Sequence, residues 1–318
     1  MKKLIVLATL AALPAAAMAD VTISGNLAVG IVNTKETGKG SINTENRTNG
    51  EIKFAGSDDL GNGLKAVWQI ANRINLADAT DSNRGNQWAG RDSFVGLDGS
   101  FGRITMGNIY LMPNSGAMAI FENNSATFKS DLYDQGDRVN NTVSYKAPVI
   151  AGLSATVQHS FGSSSANEQA KQYADAVSLA YEIGGVSLSY DTVSEKLNAQ
   201  GQKKKLHELN ASVAVDALTL QAGYARGKDQ STDTKRNGWG LAASYAMGNV
   251  TPKLGYWREG DSKTGSATAN DGHKAYAVGV EYGLSKRTRT GVEFAKANFD
   301  AAGKADVRTA TVYLGTKF

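Results

Sequence analysis

The 318-residue chain carries 34 Lys and Arg against 30 Asp and Glu, a formal charge of +4, with 41% apolar residues, 35 glycines, four prolines and no cysteine. So balanced a charge excludes a nucleic-acid binder steered by a basic surface, and the missing thiols exclude a disulfide framework and thiolate chemistry. After the first 19 residues the apolar side chains are spread too evenly for any spanning helix.

Residues 1–19, MKKLIVLATLAALPAAAMA, join two lysines, an apolar stretch from Leu4 and the small-residue triplet Ala17-Met18-Ala19. This pattern predicts a secretory signal peptide cleaved before Asp20, too short and alanine-rich to be an anchor. Removal of Lys2 and Lys3 lowers the charge to +2 and leaves residues 20–318 as one domain.

From Val21 the period is two. Val21, Ile23, Leu27, Val29 and Ile31 fall on one face, and Thr22, Ser24, Asn26 and Ala28 on the other. Such alternation marks strands. It recurs in LSATVQ, VSLSY, LTLQAGY, AYAVGVEY and ATVYLGTKF. Between breakers it predicts sixteen strands, over residues 20–34, 48–57, 63–75, 87–97, 102–108, 138–147, 152–162, 173–182, 185–194, 205–214, 217–227, 236–247, 249–259, 273–283, 286–298 and 306–318. Tight turns such as DDLGNG, DGSFG, IGG and MGN alternate with long polar loops such as SEKLNAQGQKKK and GDSKTGSATANDG. That asymmetry is the signature of a transmembrane barrel with short turns on the periplasmic rim and longer loops outside. A strand edge in lipid has no water to satisfy it, so the sheet must close. The expected fold is therefore all-β, a 16-stranded antiparallel transmembrane β-barrel.

The longest connection, residues 109–137, is unusually apolar for a surface loop, with Ile109, Leu111, Met112, Ile120, Phe121, Phe128 and Leu132. Loops of this length are functional or disordered, and so many apolar side chains predict packing on the inner barrel wall. The segment holds Glu122, Asp131, Asp134 and Asp137 against Lys129, a net charge of −3. On the strands, alternation puts Glu51 and Lys53 opposite the lipid-facing Ile52 and Phe54, and Lys65 and Arg73 opposite Leu64, Ala66, Trp68 and Ile70. It sets Arg91 opposite Phe94, and Arg138 opposite Val139 and Val143. Lys53, Lys65, Arg73, Arg91 and Arg138 are the candidate basic wall facing the acids of the loop. A barrel of sixteen strands leaves an aqueous lumen, and solutes crossing it are sorted by width and by lining charge.

Other chemistry has little support. His159, His207 and His273 are far apart, the first two in the lipid-facing phase, and no metal-ligand spacing, nucleophile elbow or phosphate loop is present. No cofactor, metal or enzymatic activity is expected. Lys203–Lys205 read as the end of an external loop, solvated and within reach of anionic lipopolysaccharide. Trp68, Tyr145, Tyr181, Tyr190, Tyr282 and Phe318 suit interfacial girdles.

The stretches EIKFAGSDDLGNGLKAVWQI (51–70), GRDSFVGLDGSFGRITMG (90–107), RVNNTVSYKAP (138–148), YGLSKRT (282–288) and the terminal Phe318 resemble the general diffusion porins of Gram-negative outer membranes, in their beta-proteobacterial branch. The resemblance implies passive diffusion of ions and small hydrophilic solutes, a homotrimer, an inward-folded third loop at 109–137, and Phe318 as part of the signal read by the outer-membrane barrel assembly machinery. Similar porins carry bases at positions matching Arg91 and Arg138, and often at Glu51, Ala55, Asn108 and Ser144, where this chain has none. The thinner cluster points to weak selectivity. The alternative is a substrate-selective channel for an anion or a sugar, which an aromatic track or a dense basic cluster would support.

Overall fold

A computed structural model describes residues 21–40, 42–76, 88–111, 120–122, 138–162, 173–196 and 203–318. Eighteen strands form one sheet: β1 (Thr22–Glu36), β2 (Asn43–Gly61), β3 (Leu64–Arg73), β4 (Ser93–Gly99), β5 (Gly102–Tyr110), β6 (Arg138–Lys146), β7 (Leu153–Ser160), β8 (Tyr173–Ile183), β9 (Val186–Lys196), β10 (Lys203–Val215), β11 (Leu218–Asp229), β12 (Thr234–Tyr245), β13 (Val250–Glu259), β14 (Lys263–Thr264), β15 (Ala267–Thr268), β16 (His273–Gly283), β17 (Thr288–Phe299) and β18 (Val307–Lys317). The two-residue β14 and β15 form a hairpin that pairs with the outer end of β12, while β13 pairs directly with β16, so sixteen strands build the barrel.

Every pairing is antiparallel, and β1 meets β18 from Asn26↔Lys317 to Glu36↔Val307, which closes the ring. Phe318 extends that seam: Gly25 N–H donates to its carbonyl at 3.0 Å and its own N–H donates to Gly25 O at 3.1 Å. Its ring lies over Gly25, where a side chain would collide with it. Closure leaves no edge for lipid to strip of partners, each of which would cost several kcal/mol.

Alternation sorts the two faces of each strand. On β18, Val312 and Leu314 are exposed on the outer surface, whereas Thr309, Thr311 and Tyr313 are buried on the lumen side. Large exposed apolar residues recur around the outside as Val29, Ile31, Val95, Met106, Leu179, Leu209, Leu241 and Val278, as a wall bathed in hydrocarbon requires. Trp239, Tyr256 and Tyr276 follow one another across three outer strands with ring centroids 5.2 and 5.1 Å apart.

The short turns use left-handed backbone where the sequence permits it. In DDLGNG, Gly61, Asn62 and Gly63 all have positive φ, and Asp59 Oδ1 accepts from Gly61 N–H at 2.9 Å. Three strands differ from the sequence reading. β2 begins at Asn43 and β10 at Lys203, because their outer ends are polar on both faces and show no apolar alternation. The basic run Lys203–Lys205 is therefore strand, not loop. β4 begins at Ser93, not residue 87; Arg91 N–H still donates to Ala71 O, but residues 88–92 form turns and bends ahead of the strand.

Candidate functional site

The long connection begins inside the barrel. Tyr110 ends β5, with its N–H donating to Asp92 Oδ1 at 3.1 Å and its carbonyl accepting from Gln158 Nε2 at 3.1 Å. Leu111 follows, fully buried against Ala174, Ala176, Val193 and Leu206 on the lumen faces of β8, β9 and β10. Ile120, Phe121 and Glu122 lie further round the same wall. Phe121 is buried in a cluster with Ala225, Ala242, Trp257, Ala275, Ala277 and Ala297, with Ile120 packed on its edge. Alanines on β11, β12, β16 and β17 make this seat possible, because longer side chains would occupy the volume the loop fills. Trp257, the one large wall residue of the cluster, itself lies across Gly238.

Polar contacts fix the seat. Glu122 N–H donates to Glu293 Oε1 at 2.7 Å, and Glu122 Oε2 accepts from Arg289 at 2.7 Å. Lys253 Nζ donates to Ile120 O at 2.8 Å and to Glu281 Oε2 at 2.7 Å. Tyr313 reaches across Gly291, where a side chain would meet its ring, to donate to Glu281 Oε2 at 2.8 Å. Arg289 is 3.6 Å from the same carboxylate. Three acids and two bases thus interlock around the loop, with the Lys253 side chain only 8% exposed. Removing one partner of so enclosed a pair leaves an uncompensated charge, at a cost of roughly 3–5 kcal/mol.

Half a turn around the ring from β10–β12, the inner faces of β2–β4 carry a different lining. Lys53 Nζ is 2.9 Å from Glu51 Oε1, and Arg91 Nε is 3.5 Å from Glu51 Oε2. Arg73 stands directly opposite Glu51 in the β2–β3 register and shares its face. Lys65 lies at the short-turn rim, opposite Asp59 on one side and Asp98 on the other. Phe94 corrects the alternation reading: it pairs with Gln69 and alternates with the exposed Val95, so it faces the lumen. Arg91 precedes the strand, beyond the reach of its two-residue period, and meets Glu51 on the same lumen side as Phe94. Asp131, Asp134 and Asp137 lie outside the described residues, and only the backbone of Arg138 is described, at the start of β6.

Lys253, Arg289, Glu281 and Glu293 were not singled out in the sequence, although alternation was a sufficient signal. Each is one residue from an exposed apolar or outer-face neighbour, such as Leu254 for Lys253 and Val292 for Glu293. At the outer rim, Arg236 links Glu259 at 2.8 Å to Asp271. Ser262 donates to Asp271 through its N–H and its hydroxyl, each at 2.7 Å. Burial pushes the Asp271 carboxyl up, but these hydrogen bonds and the Arg236 charge outweigh it and hold the group below the usual range. Among the described residues no group of three His, Asp or Glu could hold a metal ion.

A closed sixteen-strand barrel, oily outside and charged inside, with a loop seated in its lumen, is the architecture of a membrane pore. The model of the Gram-negative porin family matches residues 5–316, and the chain belongs to that family. Among its relatives, the major outer membrane protein P.IB of Neisseria lactamica is 31% identical with both chains fully covered. In solved structures, the anion-selective porin from Comamonas acidovorans superposes with TM-score 0.76 at 22% identity, over 94% of this chain and 100% of its own. The trimer form of OmpT from Vibrio cholerae gives TM-score 0.71 at 12% identity, over 94% and 99%. The protein is an outer-membrane porin, a water-filled channel through which ions and small hydrophilic solutes diffuse passively.

Proposed function

We propose that the narrowest part of this channel lies where residues 109–137 cross the lumen, and that it acts as a weakly selective general sieve. The observation that carries the reading is the contact of Glu122 with Glu293 and Arg289, 171 and 167 residues away in sequence, on the inner wall. In this reading Glu122, Asp131, Asp134 and Asp137 supply the acidic side, and Lys53, Arg73, Arg91 and Arg138 the basic side, with Lys65 at the periplasmic mouth. Much of that charge is already compensated: Glu51 accompanies Lys53 and Arg91, and Arg289 accompanies Glu122. A residual unit charge acting on an ion at about 10 Å contributes roughly 0.4 kcal/mol at the dielectric constant of water and about 1.7 kcal/mol at an effective value near 20. Cation and anion feel that charge with opposite signs, so discrimination is about fourfold where the lumen is water-like, and the pairing of its charges keeps the channel near that end, where width decides more than sign.

The same reading includes cleavage of residues 1–19 before Asp20, assembly as a homotrimer like that described for the Vibrio OmpT, contact with lipopolysaccharide, and Phe318 as the residue engaged by the barrel assembly machinery. Single-channel recording in a planar bilayer tests the sieve. Expected are conductance steps proportional to salt and blocked by no particular sugar or phosphate. Under a salt gradient, Arg138→Ala should shift the reversal potential toward cations; an unchanged value removes Arg138 from the constriction. Saturable block at low solute concentration would favour the substrate-selective alternative.

A further inference from the structure

Phe94 puts an aromatic ring on the wet side of the wall. On β4 it alternates with Val95 and Leu97, both exposed on the outer surface, and it pairs with Gln69 on β3 and Gly107 on β5. Its apolar neighbours on the lumen face of β3, Val67 and Ala71, are buried, whereas Phe94 keeps part of its surface open. Other rings on the inner wall are occupied: Trp257 and Tyr313 are buried, and Phe299 has the Lys304 ammonium 3.9 Å from its centroid. Among the described residues no cation or aromatic ring lies over Phe94. On one flank Gly107 has no side chain to lie across the ring; on the other, Gln69 is tied down by its Nε2, which donates to Asp92 O at 2.7 Å. A phenyl face left toward water forgoes the gain of burial. The same face is a platform for a second ring, in offset or edge-on contact.

Positive charge stands beside it on the same face. One rung outward from the Gln69–Phe94 rung Lys53 pairs with Ala71, and one rung further Glu51 pairs with Arg73. Lys53 and Arg91 both approach Glu51, at 2.9 and 3.5 Å, while Arg73 is exposed and has no carboxylate within ion-pair distance among the described residues. Three bases thus surround one acid, a surplus of two positive charges. Lys53 and Phe94 are two strands across and two residues along from one another, about 12 Å at the usual spacings, and both project into the lumen. A solute that uses both ends carries a ring and, a short arm away, a negative group. A plain anion would use the bases alone, and a neutral aromatic the ring alone.

We propose that Phe94, with Lys53 and Arg73, forms a weak platform for aromatic carboxylates, which the lumen wall retains longer than aliphatic acids of equal charge. The inference rests on the reading of β2–β4 as the open side of the diffusion path, and it names the solute class favoured there. Single-channel recording in about 0.1 M KCl, where exposed charges are only partly screened, tests it with three additives: 3-phenylpropionate, propionate and 2-phenylethanol. The reading is the loss of open-channel conductance and the excess current noise of brief visits. 3-Phenylpropionate should act in the millimolar range, at a concentration about fivefold lower than propionate, as one added aromatic contact allows. Phe94→Ala should bring it to the level of propionate. Phe94→Leu should do most of the same, and takes over should the alanine variant lose the heat-modifiable migration of a folded barrel. The double substitution Lys53→Gln with Arg73→Gln should weaken both acids and leave 2-phenylethanol unmoved. Equal potency of the two acids on the parent, or an advantage for 3-phenylpropionate that survives both Phe94 variants, overturns the platform. 2-Phenylethanol acting at the same concentration as 3-phenylpropionate overturns the carboxylate assignment. Failure of the sieve would appear in the conductance steps in plain salt, and failure of this inference only between the additives.

Discussion

The two halves of the lumen wall are built for different neighbours. From β8 round to β17 the inward positions include seven buried alanines, Ala174, Ala176, Ala225, Ala242, Ala275, Ala277 and Ala297, beside buried acids such as Asp191, Glu208 and Glu259. From β2 to β4 they include Glu51, Lys53, Arg73 and Arg91. The first half is dry around Leu111 and Phe121, where small side chains leave room for both. The second half is charged instead, with Lys53 exposed to the lumen and Glu51 and Arg91 paired and mostly covered. A loop segment seated on the inner wall needs a hydrophobic patch there, and this chain supplies one with residues whose apolar character is easily overlooked.

Substitutions that break the dry half should have the largest effects. Phe121→Ala empties the seat, and truncation of a buried phenylalanine costs about 3–5 kcal/mol; single-channel recording should then show higher conductance and greater open-channel noise. Lys253→Met keeps much of the side-chain bulk but removes the donor to both Ile120 O and Glu281, for roughly 3 kcal/mol. A smaller conductance gain, with protease cleavage near residue 120 in the folded barrel, is expected. Arg289→Gln should be milder, under about 1 kcal/mol, because its side chain is 40% exposed and its ion pairs are screened. A rank order with Arg289→Gln above Phe121→Ala would mean that charge, not packing, seats the loop.

The smallest expected effect lies at the rim. Asp271 has a folded pKa below its unfolded value, so its contribution is present above the unfolded pKa and fades as pH falls through the folded one. Hydrogen exchange of the amides of residues 260–272 should therefore quicken on acidification below the usual carboxylate range, while amides of the β16–β17 ladder keep their protection. Asp271→Asn should bring the fast exchange to neutral pH.

Most of the barrel was legible because lipid and water impose one rule on every strand: apolar at alternate positions, or unstable. Where that rule stops, legibility stops. The outer ends of β2 and β10 project beyond the apolar band, so Asn43–Thr48 and Lys203–Lys205 carry no alternation to read. Arg91 and Phe94 were assigned to opposite faces because the period was extended through turns that do not obey it. The apolar excess of 109–137 predicted an inward fold from composition alone. Alternation puts its partners, Lys253, Glu281, Arg289 and Glu293, on the lumen face, but they belong to strands that only barrel closure brings to the loop, and no local pattern pairs them with it.

The central claim is that odd and even positions of each strand occupy different solvents on either side of one closed wall. Because the chain lacks cysteine, single cysteines at Lys53, Glu51, Val292 and Leu314 can be treated with a charged, membrane-impermeant thiol reagent while current is recorded. Reaction should lower the conductance at 51 and 53 and leave it unchanged at 292 and 314. Equal block at all four positions, or block only at 292 and 314, would contradict the account.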